Sequence, residues 1–201
     1  MYKLACFFII LFLFVGCDDK GINKEELYKG YSLKPINFLN KKAYIPSGFK
    51  KINLNEIGEM LRQNPDLNPI DKMNYQMAAS AYNNSGKVPV LYQDSTATGN
   101  AIWFFPGPYI PLNKDLVNDC VQMLESSFII PAENFGIRSE RLEAKFIQNN
   151  LLKSIKVKYK LDYKDSTKYL TQFIIRKDLT TYSMVVSSNK IEDHQKILKS
   201  L

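Results

Sequence analysis

Seven consecutive residues constrain this chain most. Ile155, Val157, Tyr159 and Leu161 are apolar, and Lys156, Lys158 and Lys160 stand between them. A period of two puts one set on each face of a β-strand, whereas a helix would scatter both sets around its axis. The segment does not stand alone. Leu142–Gln148, Leu152–Tyr163, Tyr169–Lys177 and Thr180–Ser187 alternate or run apolar, with short polar turns between them. Four such runs in succession predict an antiparallel β-meander. Ile191–Leu201, with Ile191, Ile197, Leu198 and Leu201 apolar, predicts a closing helix.

The elements before the meander are mixed. Ala43–Pro46 followed by Gly48-Phe49 predicts a short strand and a turn. Asn53 is placed to cap a helix over Leu54–Gln63, which Asn64-Pro65 stops. Ile70, Met73, Met77 and Ala81 share the face of a second helix over Ile70–Tyr82. Val88–Tyr92 and Ala101–Phe105 predict two short strands, and Asn113 caps a third helix over Lys114–Ser126. The fold class expected is α+β, an antiparallel meander packed against helices. Apolar residues at 45% and charged residues at 23% exclude wholesale disorder.

The N-terminus predicts an address. Lys3 is the one charge before Asp18, and residues 4–16 are apolar or small. Thirteen residues reach roughly 20 Å as a helix at ~1.5 Å each, short of the ~20 residues that a bilayer span needs. A basic start, an apolar stretch and a small last residue are the layout of a secretory signal peptide. Phe14-Val15-Gly16-Cys17 resembles the lipobox of bacterial lipoproteins. The resemblance implies a diacylglycerol on the Cys17 thiol, cleavage before Cys17, and palmitate or a similar chain on the new amine. It implies residues 1–16 as signal peptide and a lipid-anchored place in the cell envelope facing the periplasm. Asp18 resembles an inner-membrane retention signal of enterobacteria, which leaves the choice of membrane open. Residues 17–40, polar and mixed in charge, are expected to be a flexible tether, with one domain over 41–201.

Three stretches carry a second resemblance. Ile45-Pro46-Ser47-Gly48-Phe49, the meander, and Met184–Ser188 running into Glu192–Leu201 resemble the PsbP-like α/β/α sandwich. That fold implies a binding or assembly role and supplies no catalytic motif to carry over.

Two stretches are candidate contact surfaces. Residues 138–177 hold 11 Lys/Arg against 4 Asp/Glu, while the remainder holds 16 of each. With one face of the strand in solvent, Lys156, Lys158 and Lys160 would line up about 7 Å apart. Such a row fits anionic lipid headgroups or an acidic protein partner; it also fits lysines that merely keep a sheet soluble. Trp103-Phe104-Phe105-Pro106-Gly107-Pro108-Tyr109 is the other stretch. Exposed, Trp103, Phe104, Phe105 and Tyr109 would anchor a partner; finishing a core strand, they would only pack. Nucleic acid does not suit the expected compartment.

Enzymatic constellations do not assemble. One His and three Cys cannot make a His/Cys metal cluster of usual spacing, so no metal and no cofactor are expected. His194 has no G-x-S-x-G nucleophile elbow to serve, and a solvated helix position is expected for it. Cys120 lies among apolar residues at helical spacing, as a small core residue does. A non-catalytic role is expected, the alternative being an envelope hydrolase built on His194.

Overall fold

A computed structural model of the chain describes residues 24–63, 69–70, 72–73, 75–77, 86–97, 99–149, 152–192 and 194–201. The apolar run before Cys17, Cys17 itself, the Asn64-Pro65 stop and the end of the second helix lie outside the described residues. The chain divides into two compact units, Met1–Gly30 and Tyr31–Leu201. The described part of the first contains one helical turn, α1 (Lys24–Leu27).

The second unit opens with a hairpin. β1 (Tyr31–Ile36) pairs antiparallel with β2 (Lys41–Pro46). A 3₁₀ turn, Asn37–Leu39, joins them, and Asn40 closes it at φ 51°. Asn tolerates that left-handed geometry better than most residues. Tyr31–Leu39 is therefore folded, and the C-terminal part of the stretch expected to be a tether belongs to the domain. Polarity hid it, because an edge hairpin shows water on one side.

A seven-stranded antiparallel sheet follows. β3 (Phe49–Ile52), β4 (Val90–Asp94) and β5 (Ala101–Pro106) lie on one side; β6 (Arg138–Gln148), β7 (Lys153–Tyr163), β8 (Ser166–Lys177) and β9 (Thr180–Ser188) complete it. The order is β3-β4-β5-β9-β8-β7-β6. β6 to β9 form the expected meander, and β5 pairs with β9 at its inner edge. The β7–β8 and β8–β9 turns place Lys164 and Asp178 at positive φ, 49° and 56°.

Helices cover one face. α2 (Leu54–Gln63) starts where Asn53 N and Asn53 Nδ2 both donate to the Glu56 carboxylate at 3.1 Å, the Glu56 half of a capping box. Helical backbone also occupies 69–70, 72–73 and 75–77. α3 (Val117–Leu124) follows a 3₁₀ turn whose first N–H groups donate to Asn113 Oδ1. A π turn, Glu125–Ile129, joins it to α4 (Ile130–Asn134), so the helical run passes beyond the expected end at Ser126. Val121, Leu124 and Phe128 meet Trp103, Val157 and Val185 of the sheet on this side.

The opposite face is covered as well. Ile36, Ala43 and Ile45 of the β1–β2 hairpin and Ile197, Leu198 and Leu201 at the C-terminus pack on Phe104, Phe173 and Met184. α5 (Gln195–Ser200) is shorter than the expected helix, and Ile191 is exposed ahead of it. The sheet is thus the middle layer of a sandwich. That placement decides the candidate residues.

Candidate functional site

β5 is a central strand with both faces covered. Alternate side chains must therefore all be apolar. Trp103 is 1% exposed and faces the helices; Phe104, fully buried, faces the β1–β2 hairpin; Phe105 turns back beside Trp103. The Trp103 and Phe105 rings stack at 5.8 Å, and Tyr75 meets Trp103 edge-on at 5.4 Å. These three residues hold the two cores together and offer no surface to a partner: of the two readings the sequence left open, the core strand is the one found for them. Tyr109, 52% exposed, is the one of the four at the surface. Its loop is tied down next door, where Thr181 Oγ1 accepts from Ile110 N at 3.0 Å.

The lysine row is also changed by what covers it. Lys156 and Lys158 are 5% and 7% exposed. Lys156 Nζ sits 2.6 Å from Glu143 Oε2 and 5.9 Å from the centre of the Phe173 ring. Lys158 Nζ donates to the Glu192 carbonyl at 3.1 Å and lies over Tyr169. Lys160 Nζ pairs with Asp162 at 2.9 Å. Lys156 and Lys158 are thus sheltered in internal contacts while Lys160 stays part-exposed beside Asp162, so the three do not form an open stripe. Burial raises the Glu143 carboxyl, but the hydrogen bonds from Lys145 and Lys156 and their charges outweigh it and hold it below the ordinary range. Hydrogen bonds from Thr167 and Lys160 likewise lower Asp162.

Sequence and structure comparisons then bear on the whole arrangement. No family model and no curated protein matches this sequence. A solved structure does: the solution structure of cyanobacterial PsbP from Synechocystis sp. PCC 6803. Its TM-score is 0.50 at 12% identity, over 94% of this chain and 92% of that one. The fold is PsbP-like.

Within this PsbP-like sandwich the remaining titratable residues stand apart. Cys120 belongs to the helix-side core, while His194 precedes α5 on the opposite face. The sheet separates them, and no Cys/His pair forms. His194 is 8% exposed, a correction to the solvated position expected; its carbonyl accepts from Ile197 N at 3.1 Å and starts the last helix. Glu140 and Glu143 lie on strand β6. Among the described residues, no cluster of His, Cys, Asp or Glu could hold a metal, and no helix is long and apolar enough to cross a membrane.

Burial, and then the neighbouring Asp119 charge, push the Cys120 thiol up. Thiolate is the reactive form. In a Cys17→Ser/Cys6→Ser chain, Cys120 is expected to resist an aromatic disulfide reagent at pH 8 until denaturant is added. Rapid labelling of the folded chain would contradict its place in the core.

One pair at the surface escaped sequence reasoning. Lys153 and Arg176 are direct partners across β7 and β8. Counting outward from the Lys164-Asp165 turn brings the same two residues together, so the signal was present in the sequence.

Proposed function

We propose that this chain is a lipoprotein of the bacterial cell envelope, anchored in a membrane through Cys17, with a non-catalytic binding or assembly role. The observation that carries this reading is the apolar run ending in Gly16-Cys17. The anchor has a physical rationale: one acyl chain gives marginal binding, and two or three make release very slow. The binding role is supported by how the folded unit uses its polar groups. Lys156 with Glu143 joins β7 to β6, Tyr159 with Glu125 joins β7 to the π turn, and Lys160 pairs with Asp162 along β7 itself. The PsbP-like sandwich makes the exposed loop ends the candidate contact regions.

Metabolic labelling with a palmitate analogue tests the anchor. The parent chain is expected to incorporate label, and Cys17→Ser is expected to lose it. Equal labelling of the two would refute lipidation at Cys17. A pull-down from solubilised envelope, with the acylated chain as bait, tests the binding role; recovery of no specific partner would count against it.

A further inference from the structure

Lys153 and Arg176 stand at one end of the sheet, on the face that the helices cover. Next inward are Ile155 and Ile174, both in the helix-side core. The row continues from Lys153 through Arg176 to Thr181, its partner on β9. Thr181 in turn holds Ile110 of the Pro106–Leu112 loop through its hydroxyl. Tyr109 projects beside Ile110 and is 52% exposed; Leu179, at the β8–β9 turn, is 83% exposed. Pro108 and Pro111 stiffen the loop between.

The charges at this end differ from the lysine row on β7. Lys156 and Lys160 each have a carboxylate within 2.9 Å. Lys153 and Arg176, half-buried, have none within ion-pair distance among the described residues. Like charges directly opposite on an antiparallel pair repel. An anion placed over both would remove that repulsion. A tyrosine and a leucine at loop tips beside unpaired cations are the elements by which a protein sits on a charged bilayer: the aromatic ring at headgroup level, the alkyl chain deeper, the cations on phosphates.

We propose that this end of the sheet, comprising Tyr109, Leu179, Lys153 and Arg176, docks the domain onto an anionic phospholipid surface. The proposal rests on the membrane-anchored reading, and it adds a second, reversible contact to the covalent one. The bilayer is favoured over a protein partner because the apolar groups are exposed side chains at two loop tips, and because neither cation has an ion-pair partner among the described residues.

The test uses the full, acylated chain carrying Leu179→Trp, reconstituted into vesicles whose acyl chains are brominated. Trp103, in the core, supplies a constant background. In vesicles containing phosphatidylglycerol, the added indole is expected to be quenched. In pure phosphatidylcholine vesicles, and in a Leu179→Trp chain that also carries Lys153→Gln and Arg176→Gln, most of that quenching is expected to be lost. Protein that floats with phosphatidylglycerol vesicles yet shows no quenching would overturn the docking surface while leaving the anchor intact. Quenching without acylation of Cys17 would do the reverse. Protection of the indole from aqueous acrylamide in native envelopes, without bromolipid quenching, would assign this end to a protein and overturn the lipid assignment.

Discussion

Trp103→Ala is expected to lower the stability of the folded unit by about 4 kcal/mol, the range for emptying a large aromatic from a core. The indole is 1% exposed, stacks on Phe105 and receives the edge of Tyr75, so its removal leaves a cavity bounded by rings that cannot collapse easily. Trp103→Phe makes the argument sharper. Among the described residues, buried Trp103 Nε1 has no hydrogen-bond partner. An unsatisfied buried donor costs about 1–3 kcal/mol, so phenylalanine recovers that cost while losing only part of the packing. A loss of about 1 kcal/mol is expected for it. Chemical denaturation of the full chain, followed by far-ultraviolet circular dichroism, gives both values. In the parent, the emission of Trp103, the one Trp in the sequence, is expected to be blue and shielded from acrylamide. A loss below 1 kcal/mol for Trp103→Ala would mean that the indole is not the joint between sheet and helices.

The meander was legible because each strand announced itself twice, by its period and by the turn that ended it. α2 was legible for a similar reason: Asn53 marks its start and Asn64-Pro65 its expected stop. β1 was not, because Lys34 and Pro35 break its pattern and the hairpin turns through Asn40 instead of a glycine pair. The π turn at Glu125–Ile129 left no mark, since each residue in it is an ordinary helix residue. It brings Glu125 to the hydroxyl of Tyr159, which donates at 2.6 Å, and to Arg141.

The burial of Trp103, Phe104, Phe105, Lys156 and Lys158 has one shared cause. Alternation in β7 correctly separated Ile155, Val157, Tyr159 and Leu161 from the three lysines, and the structure keeps that separation. What alternation does not carry is the identity of the next layer. A strand reads as half-solvated or fully covered only after the hairpin at Tyr31–Pro46 and the helix at Gln195–Ser200 are placed over it. The same layer buried Phe104. Lys153 and Arg176 needed less, because strand register follows from a two-residue turn without knowledge of what packs above.

The buried lysine on β7 predicts an asymmetry between its two partners. Lys156 has a side chain only 6% exposed, and Glu143, at 28%, is the carboxylate that neutralises it. Glu143→Gln strands an ammonium inside the fold. Breaking a fully buried pair from one side costs about 3–5 kcal/mol; with Glu143 in partial contact with water, about 2 kcal/mol is expected. Lys156→Met removes the charge that needed compensation and keeps an unbranched chain against the Phe173 ring. Glu143 retains Lys145 at 2.5 Å. That variant is expected to lie within about 1 kcal/mol of the parent, because apolar replacement of a buried ion is often neutral. The pH dependence follows from the sign of the shift. Glu143 is held below its ordinary value when folded, so its stabilisation is fully present above the unfolded-state value, ~4.3. It is lost as pH falls through the lower, folded value. The gap between parent and Glu143→Gln is therefore expected to be widest near neutral pH and to close on acidification below the ordinary glutamate range. Denaturant midpoints measured from pH 7 to pH 3 check this. A gap that stays constant across that interval would show that the glutamine perturbs packing and that the Lys156 charge is not what Glu143 holds in place.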